Sequence, residues 1–232
     1  MTVVLSVRCS DGLVIASDSQ VTDSARGMSY PAQKLHALGD RAAWGGSGAR
    51  SVLGDLEDIF EDSAAAILES DDVGRALQER TLPVLKHHYE HFITDVPGEE
   101  TAGTPSADVL AAGYAGADPF IIEVNPNAMV SHYEDVGFHA VGSGAAMAQQ
   151  AGALLSHFDM SERQVRFGVV GALRVLDALS RTSPSVGLPF DICRITPAEG
   201  AHHLDDYEIA ETEALVQRWG ELEQQALDGL FP

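Results

Sequence analysis

The 232-residue sequence predicts an α/β (α+β) fold: a four-layer α-β-β-α sandwich in which two antiparallel sheets are flanked by helices. Three observations lead there. Apolar, strand-like runs come in pairs joined by short Ser/Asp/Gly turns, which favours hairpins and antiparallel pairing. Long amphipathic helical patterns come in tandem between those strand groups. The element order is then strands, helices, strands, helices, strands, and each sheet has a helical pair available to cover its outer face.

Residues 2–8 and 13–17 are rich in Val and Leu and flank Ser10-Asp11-Gly12, so they read as a first hairpin that brings Thr2 and Asp18 to one end. Ser19 to Tyr30 turns to Ser, Asp, Gly and Thr and reads as a loop. Lys34 to Leu38 and Arg41 to Gly45 form a second short hairpin about Gly39-Asp40. After Gly45-Gly46-Ser47-Gly48, apolar residues recur at helical spacing from Ala49 to Ser70 (Val52, Leu56, Ile59, Phe60, Ile67), with acids between them. Asp71 or Asp72 caps a second helix reaching Phe92, in which Pro83 marks a kink or an irregular start.

Asp95 to Ser106 is the most linker-like stretch, yet short enough to be a loop within one domain spanning 1–232. Ala107 to Ala115 and Pro119 to Val124 form another strand pair, and Val130 to Tyr133 and Phe138 to Val141 continue the sheet. Gly142-Ser143-Gly144 repeats the glycine-turn theme ahead of helices at Ala145 to Phe158 and Ser161 to Ser180. A polar loop from Arg181 to Pro189 leads to a strand at Phe190 to Ile195, an edge strand near His202 and a C-terminal amphipathic helix from Ile209 to Leu230.

Composition narrows the function. A formal charge of −21, from 35 acidic and 14 basic residues, disfavours nucleic acid and anionic membrane surfaces as partners. No apolar run approaches the roughly 20 residues of a membrane span, and no basic, apolar leader is expected at the N-terminus. Cys9 and Cys193 each lie in an apolar run far apart in sequence, which predicts buried, reduced thiols and a cytoplasmic location. His87 and His91 share i,i+4 spacing, but no third ligand is signalled, and His202-His203-Asp205-Asp206 reads as a solvated turn; no metal or cofactor is expected.

The second residue carries the chemistry. Met1 precedes a small side chain, so its removal is expected and would give Thr2 a free α-amino group. A threonine hydroxyl paired with its own amine is an activated nucleophile, because an α-amine with a pKa near ~7.7 to 8.0 is partly neutral at physiological pH and can accept the hydroxyl proton.

Thr2, the run Asp11-Gly12-Leu13-Val14-Ile15-Ala16-Ser17-Asp18, Lys34-Leu35-His36 and Gly46-Ser47-Gly48 together resemble proteasome β-type subunits, which are N-terminal-nucleophile hydrolases. The resemblance covers most of the chain. It implies that Thr2 attacks a peptide carbonyl to form an acyl-enzyme, flanked by Asp18 and Lys34. Lys34 would lower the pKa of the Thr2 amine and hydroxyl while Asp18 holds the lysine. The Gly48 N–H, at a helix N-terminus, would serve as oxyanion donor, and Gly46 would leave room for a substrate side chain. Ser143 matches the serine near the N-terminal amine, and Ser185 the serine after the fourth helix.

One position departs from the pattern: aligning Arg181 and Ser185 puts Thr182 where these subunits carry an acid. The run Ser185-Val186-Gly187-Leu188-Pro189-Phe190-Asp191 is most similar to the bacterial ancestral-β-subunit branch, Anbu. By this resemblance the substrate is a peptide or unfolded protein, the protein is a homo-oligomer in a ring or ring-like stack, and an ATP-dependent unfoldase is a further partner class. Amidase or transpeptidase chemistry at the same nucleophile, or a proteolytically weak structural subunit, are the alternatives.

Overall fold

A computed structural model describes residues 2–23, 27–93, 104–184 and 186–230. The first sheet runs β10 (Phe138–Val141), β1 (Val4–Arg8), β2 (Leu13–Asp18), β11 (Phe190–Thr196), β12 (Gly200–His203). The second runs β5 (Leu35–Leu38), β6 (Ala42–Gly48), β7 (Ala107–Ala115), β8 (Asp118–Val124), β9 (Val130–His132). Every pairing within them is antiparallel.

The layering follows from period-2 alternation along the buried strands. In β1 and β2, Val4, Leu13 and Ile15 face the second sheet and pack with Leu35, Ala43, Leu110, Ala112 and Ile121. Their neighbours Leu5, Val7, Val14 and Ala16 face the other way, against α3 (Ala145–Leu155) and α4 (Val165–Thr182). The second sheet turns Trp44, Val109, Ala111 and Ile122 outward onto α1 (Arg50–Leu68) and α2 (Val73–Glu90). The result is three cores between four layers, as predicted, with α5 (Asp206–Asp228) lying against α4.

Helix ends obey local chemistry. Asp72, the second of the two predicted caps, accepts the Arg75 N–H at 2.9 Å. Asp205 and Glu208 form a reciprocal capping box on α5. Pro83 sits inside α2 and does not mark its start. Asp159, with a left-handed backbone, ends the chain segment after α3.

Two sequence expectations are corrected. Part of the Ser19–Tyr30 stretch is a two-stranded ribbon, β3 (Gln20–Asp23) with β4 (Met28–Pro31). The ribbon stands off the core, with Met28 and Ser29 exposed, so its short strands lack the buried apolar alternation that marks the others. Second, β9 and β10 do not continue one sheet. β9 pairs with β8 in the second sheet, whereas β10 pairs with β1 in the first, so residues 133–137 cross from one sheet to the other. The strands have only three and four residues, and pairing partners are not written in so short a pattern. Most of the Asp95–Ser106 stretch lies outside the described residues.

Candidate active site

The first hairpin sets the site's geometry. Its register pairs Val4 with Ser17, and the Asp18 N–H donates to the Val3 carbonyl at 3.3 Å. Val3 therefore faces Asp18, and Thr2 stands one residue beyond, at the end of the sheet.

Thr2 is held by its backbone on three sides. Its nitrogen donates to Ser143 Oγ at 3.0 Å, its carbonyl accepts the Gly144 N–H at 3.2 Å, and the next N–H, that of Val3, donates to Asp18 Oδ1 at 2.9 Å. The nitrogen is a peptide amide while Met1 is attached; it occupies the place of the α-amine in a chain starting at Thr2. Gly142 makes the close approach feasible, since at φ +95° a Cβ there would lie 2.3 Å from the Thr2 carbonyl oxygen.

Asp18 is fully buried and uses both oxygens. Oδ1 accepts Lys34 Nζ at 2.9 Å as well as Val3 N–H; Oδ2 accepts the N–H groups of Gln20 at 3.1 Å and Gly187 at 3.4 Å. Lys34, also buried, donates a second bond to the Gln20 carbonyl at 2.7 Å. Burial pushes the Lys34 ammonium below its ordinary pKa, and the hydrogen bond and charge of Asp18 push it back up. A buried lysine held by a buried carboxylate beside Thr2 is the electrostatic core of the site.

Gly48 closes the other side, with one correction. It is the last residue of β6; α1 begins only at Arg50, with Ala49 as its N-cap. Successive N–H groups of an antiparallel strand point to opposite edges. Ala49 donates to Ser106 O at 2.8 Å on the β7 side, so the Gly48 N–H points toward the β5 side. There β5 begins at Leu35, opposite Gly45, leaving the stretch from Gly46 to Gly48 as an edge without a β5 partner. No Cβ fits at Gly48: at φ +141° it would come within 2.1 Å of the Ser106 carbonyl oxygen.

Gly46 does not make room for substrate. A Cβ there would meet Leu53 Cδ2 at 2.4 Å, so the missing side chain admits Leu53 of α1. Sequence alone shows that a position lacks a side chain but not which neighbour takes the space.

Ser143 is placed on the Thr2 nitrogen, and Ser185 lies outside the described residues. The loop around Ser185 still reaches the site, because Gly187 donates to Asp18 and accepts the Ser19 N–H at 3.2 Å. Thr182 is the last residue of α4, and its hydroxyl donates to the Ala178 and Leu179 carbonyls of its own helix at 3.1 and 3.3 Å. Asp177 is likewise helical and pairs with Arg181 at 3.0 Å.

Thr2, Lys34, Gly48 and Ser143 thus line one cleft of about 860 Å³. Over residues 2–185 the sequence matches the model of the proteasome subunit family. The chain belongs to that family. Among solved structures it is similar to Anbu, the ancestral β-subunit, from Yersinia bercovieri, at 16% identity, a TM-score of 0.75 and coverage of 99% of this chain and 97% of that one. The Gly-1 mutant of Anbu from Hyphomicrobium sp. strain MC1 is similar at 15% identity, a TM-score of 0.73 and full coverage of both chains. The helical assembly of the Anbu complex from Pseudomonas aeruginosa gives 16% identity, a TM-score of 0.71 and coverage of 97% and 95%. At these identities the structures establish a shared fold. No curated protein matches the sequence significantly.

In this proteasome subunit the cleft has further walls that the sequence reading passed over. β4 contributes Tyr30 and Pro31, and α1 contributes Arg50, Leu53 and Glu57. His36 Nδ1 contacts Glu57 Oε1 at 2.9 Å, and its ring stacks on Trp44 with centroids 4.9 Å apart. The signal available was spacing: Arg50 and Glu57 are two helical turns apart on the helix that starts just past Gly48.

The remaining histidines that drew notice are engaged locally. His88 Nε2 contacts Asp55 Oδ2 at 2.7 Å, His91 Nδ1 meets the His87 carbonyl at 2.8 Å, and His202 Nε2 contacts Glu208 at 2.8 Å. Both cysteines are free and buried. Among the described residues no helix is long and apolar enough to cross a membrane.

Proposed function

We propose that residues 1–232 form one N-terminal-nucleophile hydrolase domain, a self-assembling threonine-type peptidase subunit that cuts peptide bonds with Thr2 once Met1 is removed. The observation that carries this reading is the buried Asp18–Lys34 pair, bonded at 2.9 Å, at the foot of the residue whose nitrogen is held by Ser143.

The residues suit the steps as follows. The α-amine takes the Thr2 hydroxyl proton as Oγ adds to the substrate carbonyl carbon, and Lys34 favours the charge that develops on oxygen. Gly48 N–H, pointing away from β7, donates to the carbonyl oxygen as it becomes an oxyanion. The C–N bond breaks as the ammonium proton passes to the leaving amine, giving an ester on Thr2. Water, deprotonated by the same amine, adds to the ester carbonyl, and the Thr2 oxygen leaves and regains its proton. Ser143 fixes the amine's direction throughout. Substrate enters as an extended segment along the unpaired β6 edge from Gly46 to Gly48, which supplies main-chain hydrogen bonds.

Family membership supports assembly into rings or ring-like stacks, and a structure of the similar Pseudomonas aeruginosa protein is described as a helical assembly. Substrates are peptides or unfolded chains, with an ATP-dependent unfoldase as the partner that would deliver folded ones, in the cytoplasm. One observation favours the second reading, a proteolytically weak structural subunit. Thr182 supplies no acid, and its hydroxyl is turned onto its own helix. Turnover of fluorogenic peptides by wild type and by Thr2→Ala decides between them: the peptidase loses turnover in the variant, whereas the structural subunit shows none in either.

A further inference from the structure

The cleft sorts charge along its length. Lys34 and Arg50 lie at the end beside Thr2 and Gly48, and Glu57 lies about 10 Å further along α1, seven residues from Arg50. Glu57 is occupied by His36 at 2.9 Å, and the ring of His36 is itself stacked on Trp44. Lys34 is occupied by Asp18 and the Gln20 carbonyl.

Arg50 differs from both. It is exposed, and its hydrogen bond from Nη1 goes to the Tyr30 hydroxyl at 3.2 Å. Among the described residues it pairs with no carboxylate, in a protein where acids outnumber bases 35 to 14. Its own helix offers none in the first turn. Other arginines, such as Arg41 and Arg218, also pair with no carboxylate among the described residues, but of the arginines Arg50 is the one that lines the cleft. A guanidinium with a carboxylate-shaped fork of donors stands open in the cleft, two residues past the oxyanion donor.

We propose that Arg50, backed by Tyr30, selects substrates with an acidic side chain adjoining the bond to be cut. This rests on the peptidase reading for the position of that bond, while the selection itself is a property of the cleft. A Glu carboxylate there takes one or two charge-assisted hydrogen bonds from Arg50. The Tyr30 hydroxyl fixes the guanidinium from behind. Leu53, filling the space at Gly46, gives the aliphatic part of the side chain an apolar floor. Because the site is open to solvent, the preference over an isosteric amide is about threefold to tenfold.

The test separates binding from turnover. The affinity of Thr2→Ala for fluorescent tripeptides ending in Glu, Gln or Lys amide is read by anisotropy, then repeated with Arg50→Ala added. Binding of the Glu peptide threefold to tenfold tighter than Gln, with the ratio falling to about one in Arg50→Ala, is the expected result. Arg50→Glu should turn the preference toward Lys. Equal affinity for Glu and Gln, a preference that survives Arg50→Ala, or no binding of any peptide overturns the proposal. If the preference is found and the wild-type chain cleaves none of the three peptides, the peptidase reading fails and the selection stands. If cleavage is found without preference, the reverse holds.

Discussion

Lys34 Nζ donates to Asp18 Oδ1 at 2.9 Å with both side chains withdrawn from solvent, and the same carboxylate oxygen accepts the N–H of the residue after Thr2. One carboxylate thereby joins the lysine to the start of the chain. Breaking a buried pair from one side strands the other charge, which costs about 3–5 kcal/mol. Asp18→Asn should lower unfolding stability by an amount of that order in urea titrations. Asp18→Asn with Lys34→Met should recover part of it, because no charge is left unpaired, while peptide turnover is lost in both. Full recovery of turnover in the double variant would separate the pair from the chemistry.

Gly142 and Gly116 share a positive φ but differ in surroundings. A Cβ at Gly142 would sit 2.3 Å from the Thr2 carbonyl oxygen, whereas nothing lies within 4 Å of one at Gly116. Both alanine variants bear a backbone penalty of about 1–2 kcal/mol. Only Gly142→Ala should displace Thr2, and a displacement of about 1 Å lowers turnover by about a hundredfold. Comparable activity in the two variants would mean that the Gly142 approach does not position Thr2.

The Thr182 hydroxyl is spent on the Ala178 and Leu179 carbonyls. Thr182→Ala should change stability by less than about 0.5 kcal/mol and leave turnover within about twofold. A loss of tenfold or more would place Thr182 in the site after all.

Sequence and structure part company in instructive places. Thr2 and Asp18 were legible because a hairpin's turn fixes which strand ends meet, and Asp18 ends β2 while Thr2 stands two residues before β1. Lys34 was legible only through the family resemblance, since its own hairpin does not say that it reaches Asp18. Gly46 was misread because a glycine's pattern does not say whether Leu53 or substrate fills the space. β9 and β10 were placed in one sheet because strands of three and four residues carry too short a pattern to name a partner. Arg50 drew no attention, since an exposed arginine at a helix start is ordinary until the cleft around it is seen.

Burial, with the charge of Asp11 adding to it, pushes the Cys9 thiol up to about 12. The thiolate is the reactive form. Native protein at pH 8.5 should therefore leave Cys9 unmodified by iodoacetamide in peptide mapping, with alkylation appearing in urea. Rapid modification of the folded protein would contradict the packing of Cys9 against Gly168.

His203 is raised to about 10, first by its hydrogen bond to Asp191 at 3.2 Å. A histidine raised on folding adds stability that is complete below its unfolded value, about 6.5, and is lost as pH rises through about 10. The pair is partly open to solvent, so His203→Gln should cost about 0.2–1 kcal/mol at pH 6 and close to nothing above pH 10. A difference independent of pH would assign the effect to packing.

The central claim is that Thr2, freed of Met1, is the nucleophile. Intact mass spectrometry with and without a β-lactone probe tests it most directly. The account predicts a wild-type mass lacking methionine that gains one probe at Thr2, with no label on Thr2→Ala. A retained Met1, or equal labelling of the variant, would contradict it.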